Sequence, residues 1–162
     1  RIDRLSMRNE LRPEDIEVFS EAITHFFTTC TGETASVRSA YLLENGPPIL
    51  WNDFNGMIEV NGQYLGSICF SAPRALLSHV LLKMGETVFT DERHSDIVGE
   101  IANTLAGRAR RHFGEGLDIS TPRLIDPVPN MSPARSSAVP YAIPLRWHGY
   151  EASLVVQLEA TG

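Results

Sequence analysis

Two stretches of this chain alternate apolar and polar residues on either side of a two-residue turn, and that pattern limits the kind of sheet the chain can build. In G-M-I-E-V-N-G-Q-Y-L-G-S-I-C-F-S, the Asn61-Gly62 pair supplies the two residues with positive φ that a tight hairpin needs between its arms. In V-P-Y-A-I-P-L-R-W-H-G-Y-E-A-S-L-V-V-Q-L-E, the turn falls at His148-Gly149. Pro140 and Pro144 each remove a ladder donor from the first arm of that second hairpin, which suits an edge strand or a bulge.

Around these hairpins the spacing changes to that of helices. Residues 13 to 30 begin with Pro13 and two acids and place Ile16, Phe19, Ile23, Phe26 and Phe27 on one face, with Gly32 as the stop. The segment A-S-V-R-S-A-Y-L-L-E then reads as a strand, and N-G-P-P near Asn45 breaks it. Ser71 and Pro73 are expected to cap and start a second helix running to Met84, closed by Gly85, and a third, long helix begins near residue 91. Farther on, S-T-P-R-L-I-D-P-V is expected to be a short strand near a sheet edge, and P-N-M-S-P-A-R-S-S a loop. The order helix, strand, hairpin, helix, helix, strand, hairpin predicts an α/β chain of the α+β type. Its antiparallel or mixed sheet would have helices packed on one face, unlike a doubly wound parallel fold.

The 162 residues fit a single domain spanning 1–162, with 43% hydrophobic and 21% charged residues as in soluble globular proteins. A net charge of -6 argues against nucleic acid and anionic membrane as partners, and Arg108, Arg110 and Arg111 are read as cations favoured near a helix C-terminus. No window is apolar enough to span a bilayer and no leader is visible, so a cytoplasmic location is expected. Cys30 and Cys69 lack metal or redox spacing and are expected to be buried thiols. His25 and His79 are expected to be packing or surface residues, and His94 part of a solvated first turn. There is no phosphate-cradling glycine loop, no nucleophile elbow and no H-E-x-x-H pairing.

The long helix is different. Placed on a wheel at 100° per residue, Ile97, Val98, Ile101, Ala102, Leu105, Ala109 and Phe113 gather as a core face, and Asp96, Gly99, Glu100, Asn103, Gly107, Arg110 and Arg111 gather opposite. Glu100 and Asn103 stand one turn apart, roughly 4.5 Å along the axis, so both side chains can work on one target. Asn and Gly are poor helix formers, and a mid-helix Gly costs about 1 kcal/mol relative to Ala. An exposed face carrying Gly99, Asn103 and Gly107 gives up helix propensity and leaves the backbone open to close approach.

The segment from Gly56 to Pro122, with its hairpin, G-S-I-C-F-S-A-P-R-A-L-L, D-I-V-G-E-I-A-N-T-L-A-G-R-A and D-I-S-T-P, resembles the CheC/CheX family of chemotaxis phosphatases. The first helix, F-S-E-A-I-T-H-F-F-T-T-C-T-G, is similar to that of the CheX branch. The resemblance implies a CheC-like fold and a substrate that is the aspartyl phosphate of a CheY-like response regulator. It also implies a role for each matching residue: Asn103 orients the attacking water, and Glu100 pairs with the receiver's active-site lysine. Asp96, Gly99 and Gly107 beside them are expected to meet the partner. No cofactor of its own is implied, because the receiver holds the Mg²⁺. CheC proteins resemble a duplicated form with a second E-x-x-N on the first helix; here that helix offers Glu17 with Ser20 and Glu21 with Thr24, so one site is expected. The branch also implies a homodimer with sheet edges meeting, for which the proline-marked strands near the C-terminus are the candidates.

Two alternatives stand beside this reading. One is a non-catalytic receiver-binding or flagellar-switch-like module of the same fold, against which the presence of both Glu100 and Asn103 argues. The other is a small-molecule sensor, for which no residue nominates a ligand.

Overall fold

A computed structural model of the chain describes residues 11–43, 51–125 and 138–161. In chain order the elements are α1 (Pro13–Thr31), β1 (Ser36–Val37), β2 (Tyr41–Leu42), β3 (Phe54–Gly62), β4 (Tyr64–Ala72), α2 (Arg74–Lys83), α3 (Asp91–Phe113), β5 (Leu117–Ile119), β6 (Arg123–Leu124), β7 (Tyr141–Trp147) and β8 (Tyr150–Ala160). The strands form one sheet in the order β1-β7-β8-β4-β3-β5, with β2 also on β7 and β6 also on β3, and every pairing is antiparallel. The expected N-G-P-P break and the P-N-M-S-P-A-R-S-S loop lie outside the described residues.

Both hairpins form where the turn residues place them, by different means. His148 (φ 50) and Gly149 (φ 81) are both left-handed, as a tight two-residue turn requires. In the first hairpin only Gly62 is left-handed (φ 99); contrary to expectation Asn61 keeps a negative φ and pairs with Asp118 in β5. The turn is set one residue later because Gly62 lies against β5, where a side chain would collide with the Gly116 carbonyl oxygen.

The expected strand over residues 35 to 44 is two short strands. β1 pairs Ser36 with Arg146 and Val37 with Leu145, whereas β2 pairs Tyr41 with Ala142 and Leu42 with Tyr141, so the register slips by one residue between them. The slip falls opposite Pro144, which has no N–H to offer, while its carbonyl still accepts from Arg38 N–H at 2.8 Å. Of the two readings offered for the prolines, the bulge holds at Pro144 and the edge does not, while Pro140 lies just before β7 with its carbonyl accepting from Leu43 N–H at 3.0 Å. β7 is covered by β1 and β2, so the proline-marked strand is not available for the edge contact suggested above.

The sheet presents one face to the helices. Gly56, Phe70, Leu154 and Ile143 form a row across it, and α3 lies over that row with the Val98 carbonyl oxygen 3.1 Å from where a Gly56 Cβ would stand. Helix α1 packs through Phe19 against Phe113 of α3 and through Phe27 against Trp147 of β7, with ring centroids 6.5 and 5.4 Å apart. Burial of Phe19, Ile23 and Phe27 contributes roughly 1.5–3 kcal/mol each to holding it there. The buried carboxylate of Asp15 accepts from Arg12 N–H at 2.9 Å and lies 2.7 Å from His112 Nε2, tying the start of α1 to the end of α3. On the opposite face Met57, Cys69 and Val155 form a smaller apolar cluster covered by Leu43, Trp51 and Ile125. Burial pushes the Cys69 thiol up to about 12, leaving it an inert packing group, while Cys30 is half-buried.

Two other expectations are overturned. Ser71 does not cap α2; it stays in β4 and its hydroxyl accepts from Asn52 N–H at 2.9 Å, while the Asp53 carboxylate accepts from Arg74 N–H at 2.9 Å at the helix start. His94 is not solvated. It is 1% exposed, beside the Phe54 ring with centroids 5.3 Å apart, and its Nε2 lies 2.7 Å from the Ser78 hydroxyl, which joins α3 to α2. The first turn of α3 leans inward because α2 covers it.

At the other end of the sheet, the Glu33 carboxylate lies 2.6 Å from His148 Nε2 and 3.0 Å from Lys83 Nζ, and the Trp147 indole N–H donates to the Glu33 carbonyl at 3.0 Å. The hydrogen bonds from His148 and Lys83 hold this carboxyl below the usual glutamate range. A lowered folded-state value means the pairing adds stability above the unfolded value of about 4.3, and that stability is lost as pH falls through the folded value. Glu33→Gln should therefore show a shallower loss of stability than the parent below about pH 4.3, read as the urea midpoint against pH; equal slopes would exclude this ion pair as a contributor. At the centre of the fold, Gly56→Ala must push the Val98 carbonyl by a few tenths of an ångström. It is expected to lower the unfolding free energy by about 1–3 kcal/mol in denaturant titration.

Candidate functional site

Helix α3 begins at Thr90, whose hydroxyl accepts from Arg93 N–H at 3.2 Å, and carries Asp91 and Glu92 in its first turn and Arg110, Arg111 and His112 in its last, both matched to the helix dipole. Ile97, Val98, Ile101, Ala102, Leu105 and Ala109 are fully buried, and Phe113 is half-buried against Tyr64 and Phe19. The face expected to be core is core. With those positions fixed inward, the helical period leaves Asp96, Glu100 and Asn103 exposed.

That outward face is one wall of an open groove of about 440 Å³, lined by Ser95, Asp96, Gly99, Glu100 and Asn103 from α3 and by Pro122 and Leu124 from the edge of the sheet. Four of the five residues nominated from the sequence therefore meet. Gly107 does not line the groove; it lies a turn farther along α3 facing open space. The second wall was not legible in advance, because Pro122 and Leu124 reach the groove through the pairing of β6 with Gly56 and Met57 of β3. Leu124 is a large apolar side chain left 52% exposed at the groove's lip. Gly99 stands between the walls, its missing Cβ 3.6 Å from Pro122 Cβ.

Arg93, also missed, organises the charge. Its Nε donates to Glu86 Oε1 at 2.7 Å and its Nη2 to Glu86 Oε2 at 2.6 Å, a two-bond fork across the α2–α3 linker. Its Nη1 lies 3.8 Å from Asp96 Oδ2 and 3.6 Å from Glu100 Oε2. The fork holds Glu86 below its ordinary carboxylate range and raises Arg93 above its own. The helical spacing of 93, 96 and 100 could have placed Arg93 on this face; its bond to Glu86 could not have been read. The Cys30 thiol is pushed up by its burial and, secondarily, by the charge of Glu100.

Chemically, the groove offers two carboxylates, Asp96 and Glu100, each meeting Arg93 through one oxygen, one uncharged amide that can both donate and accept, and an apolar lip. Among the described residues no cluster of three His, Cys, Asp or Glu side chains could hold a metal ion. The exposed face of α1, lined by Glu17, Ser20, Glu21, Thr24, His25 and Thr28, carries acids and hydroxyls but no amide. Its Thr24 and Thr28 hydroxyls are turned back onto the Ser20 and Thr24 carbonyls.

The profile of "Chemotaxis phosphatase CheX" matches residues 54–146, from the first residue of β3 into β7. The chain belongs to the CheX family. No curated protein sequence matches significantly. Solved structures share the CheX fold at low identity. The chemotaxis protein CheX of Vibrio vulnificus is 21% identical with a TM-score of 0.76, the match covering 90% of this chain and 99% of that one. CheX of Desulfovibrio desulfuricans is 21% identical with a TM-score of 0.73, covering 91% and 99%. The CheX–CheY–BeF3–Mg²⁺ complex from Borrelia burgdorferi matches at 19% identity with a TM-score of 0.67, again covering 91% and 99%. The CheX profile spans β3, α3 and β6, and so every wall of the groove.

The two site-helix glycines should separate by substitution. Both Gly99→Ala and Gly107→Ala meet nothing closer than ordinary van der Waals contact, so each is expected to raise the unfolding free energy by about 1 kcal/mol in denaturant titration. A loss of stability in either would mean that the helix is strained at that position.

Proposed function

We propose that this chain hydrolyses the aspartyl phosphate of a CheY-like response-regulator receiver domain, with Asn103 orienting the attacking water and Glu100 docking the receiver. The observation that carries the reading is the exposure of Glu100 and Asn103, one turn apart, in the same groove of α3. Membership of a family of chemotaxis phosphatases supports it, as does the Borrelia relative solved with CheY, BeF3 and Mg²⁺.

The chemistry asked of the site is modest. An acyl phosphate is already reactive, and the receiver's own Mg²⁺ offsets the charge of its phosphoryl oxygens, so the phosphatase has to hold one water in line with the phosphorus. An amide is suited to holding it, since its NH₂ donates while its carbonyl accepts from the water, aiming a lone pair at phosphorus. Being uncharged, it approaches a phosphoryl group without repulsion. Glu100 carries the charge instead, and from one turn away it can pair with a cation of the receiver, fixing the register that puts Asn103 over the phosphorus. The bare backbone at Gly99 leaves room for that approach, and Leu124 at the lip offers an apolar contact.

The assay follows loss of phosphoryl from a phosphorylated receiver. Asn103→Ala is expected to slow the catalysed step by about 100-fold, the scale of a lost positioning group, with the affinity for the receiver kept. Asn103→Asp should fail as well, because a carboxylate cannot donate. Glu100→Gln should act mainly on KM. Gly99→Ala should lose activity despite its stabler helix, and Gly107→Ala should not. An Asn103→Ala variant as fast as the parent would overturn the mechanism. A parent that binds the receiver without shortening its phosphoryl lifetime would point to the binding-module reading.

A further inference from the structure

Arg93 belongs to no part of the mechanism just described, yet its guanidinium is the most constrained charged group near the groove. Three carboxylates surround it: Glu86 in the two-bond fork, Asp96 at 3.8 Å and Glu100 at 3.6 Å. The arginine and Glu86 side chains are 25% and 30% exposed, whereas Asp96 and Glu100 are 61% and 56% exposed. The cluster therefore has a fixed half and a free half. The fork to Glu86 has already ordered the guanidinium, so its contact with Glu100 requires only the glutamate to lose rotamer freedom.

We propose that Arg93 is a positioning residue of the site: clamped by Glu86, it holds Glu100 by one oxygen and presents the other to a cationic group of the partner. The contact involves Glu100 Oε2, and among the described residues no other cation pairs with this carboxylate, so Oε1 is left for the partner. An exposed glutamate without this tether would have to be ordered at the moment of docking, and ordering it beforehand removes that cost from binding. Arg93 also supplies one positive charge among three negative ones, so the approaching phosphoryl group meets a weaker opposing field. The inference rests on the reading of Glu100 as the docking residue.

The test is a double-mutant cycle on the full chain, reading turnover of a phosphorylated receiver and the Kd for the same receiver activated with BeF3 and Mg²⁺. Arg93→Met keeps the apolar stem and removes the charge. At 0.5 M NaCl, where long-range attraction is screened, it is expected to raise KM and Kd about threefold or more with kcat changed by less than about twofold. In a Glu100→Gln background the same substitution should have no further effect. Glu86→Gln, which leaves Arg93 and Glu100 in place, should move KM in the same direction by less, and Arg93→Lys should recover part of the loss. If Arg93→Met matches the parent, or its effect persists in full when Glu100 is already Gln, Arg93 does not act through Glu100 and the proposal falls. If the parent binds the receiver without turning it over, the phosphatase reading falls, and the cycle in Kd still decides the role of Arg93. A parent that binds no receiver overturns both.

Discussion

The contact between α3 and the sheet at Gly56 is the constraint from which the rest of the site follows. A helix backbone lies close on a strand backbone there, with the Val98 carbonyl oxygen 3.1 Å from where a Gly56 Cβ would stand. Such close seating fixes both the depth of the helix and its rotation. Once Ile97, Val98, Ile101 and Leu105 point into the sheet, Glu100 and Asn103 have no direction left but outward. The anchors at the two helix ends, His94 on Ser78 and His112 on Asp15, act on the same coordinate, since each resists rolling of the cylinder. The hydrophobic core thereby serves as the orienting device of an exposed site.

Charge along the helix is laid out in parallel with this geometry. The acids of the site stand in the N-terminal half of α3 with Arg93 among them, and Asn103 lies a turn beyond, without charge of its own. On the proposed reading, recognition is separated from chemistry in this way, which suits a reaction on a phosphorylated acid. A carboxylate placed at the reacting centre would repel the substrate, whereas one placed a turn away can choose the partner by its cations. The residues proposed for the chemistry are those the fold leaves exposed together in one groove.

What could be read from the sequence was whatever depends on short-range spacing. The faces of α3 follow from a 3.6-residue period, and the residues marking the turns at Gly149 and Gly32 act on their own backbone. The errors arose where a partner distant in sequence decided the outcome. Asn61 would have been left-handed in an isolated hairpin, but pairing with β5 made it a strand residue. Ser71 had an ideal composition for a cap until Asn52 took its hydroxyl, and His94 had the acidic neighbours of a wet first turn until α2 closed over it. The groove divides along the same line. Its helix wall, Asp96, Gly99, Glu100 and Asn103, was visible as a pattern, while Pro122, Leu124 and the Glu86 clamp on Arg93 depend on strand pairing and on a linker crossing that no local spacing encodes.

The two walls of that groove are held with very different firmness. The helix wall is seated on the core by a row of fully buried residues and pinned at both ends. The opposite wall rests on a strand of two residues paired at Gly56 and Met57, with Ser120 and Ile125 bonded to Glu59 and Asn55 of β3 on either side and an ion pair from Arg123 to Glu59. Local opening is easiest where few buried contacts must be broken. The groove is thus a vice with one fixed jaw and one sprung jaw. On the proposed reading, the fixed jaw carries the side chains whose aim matters, and the sprung jaw can yield to the partner without disturbing that aim.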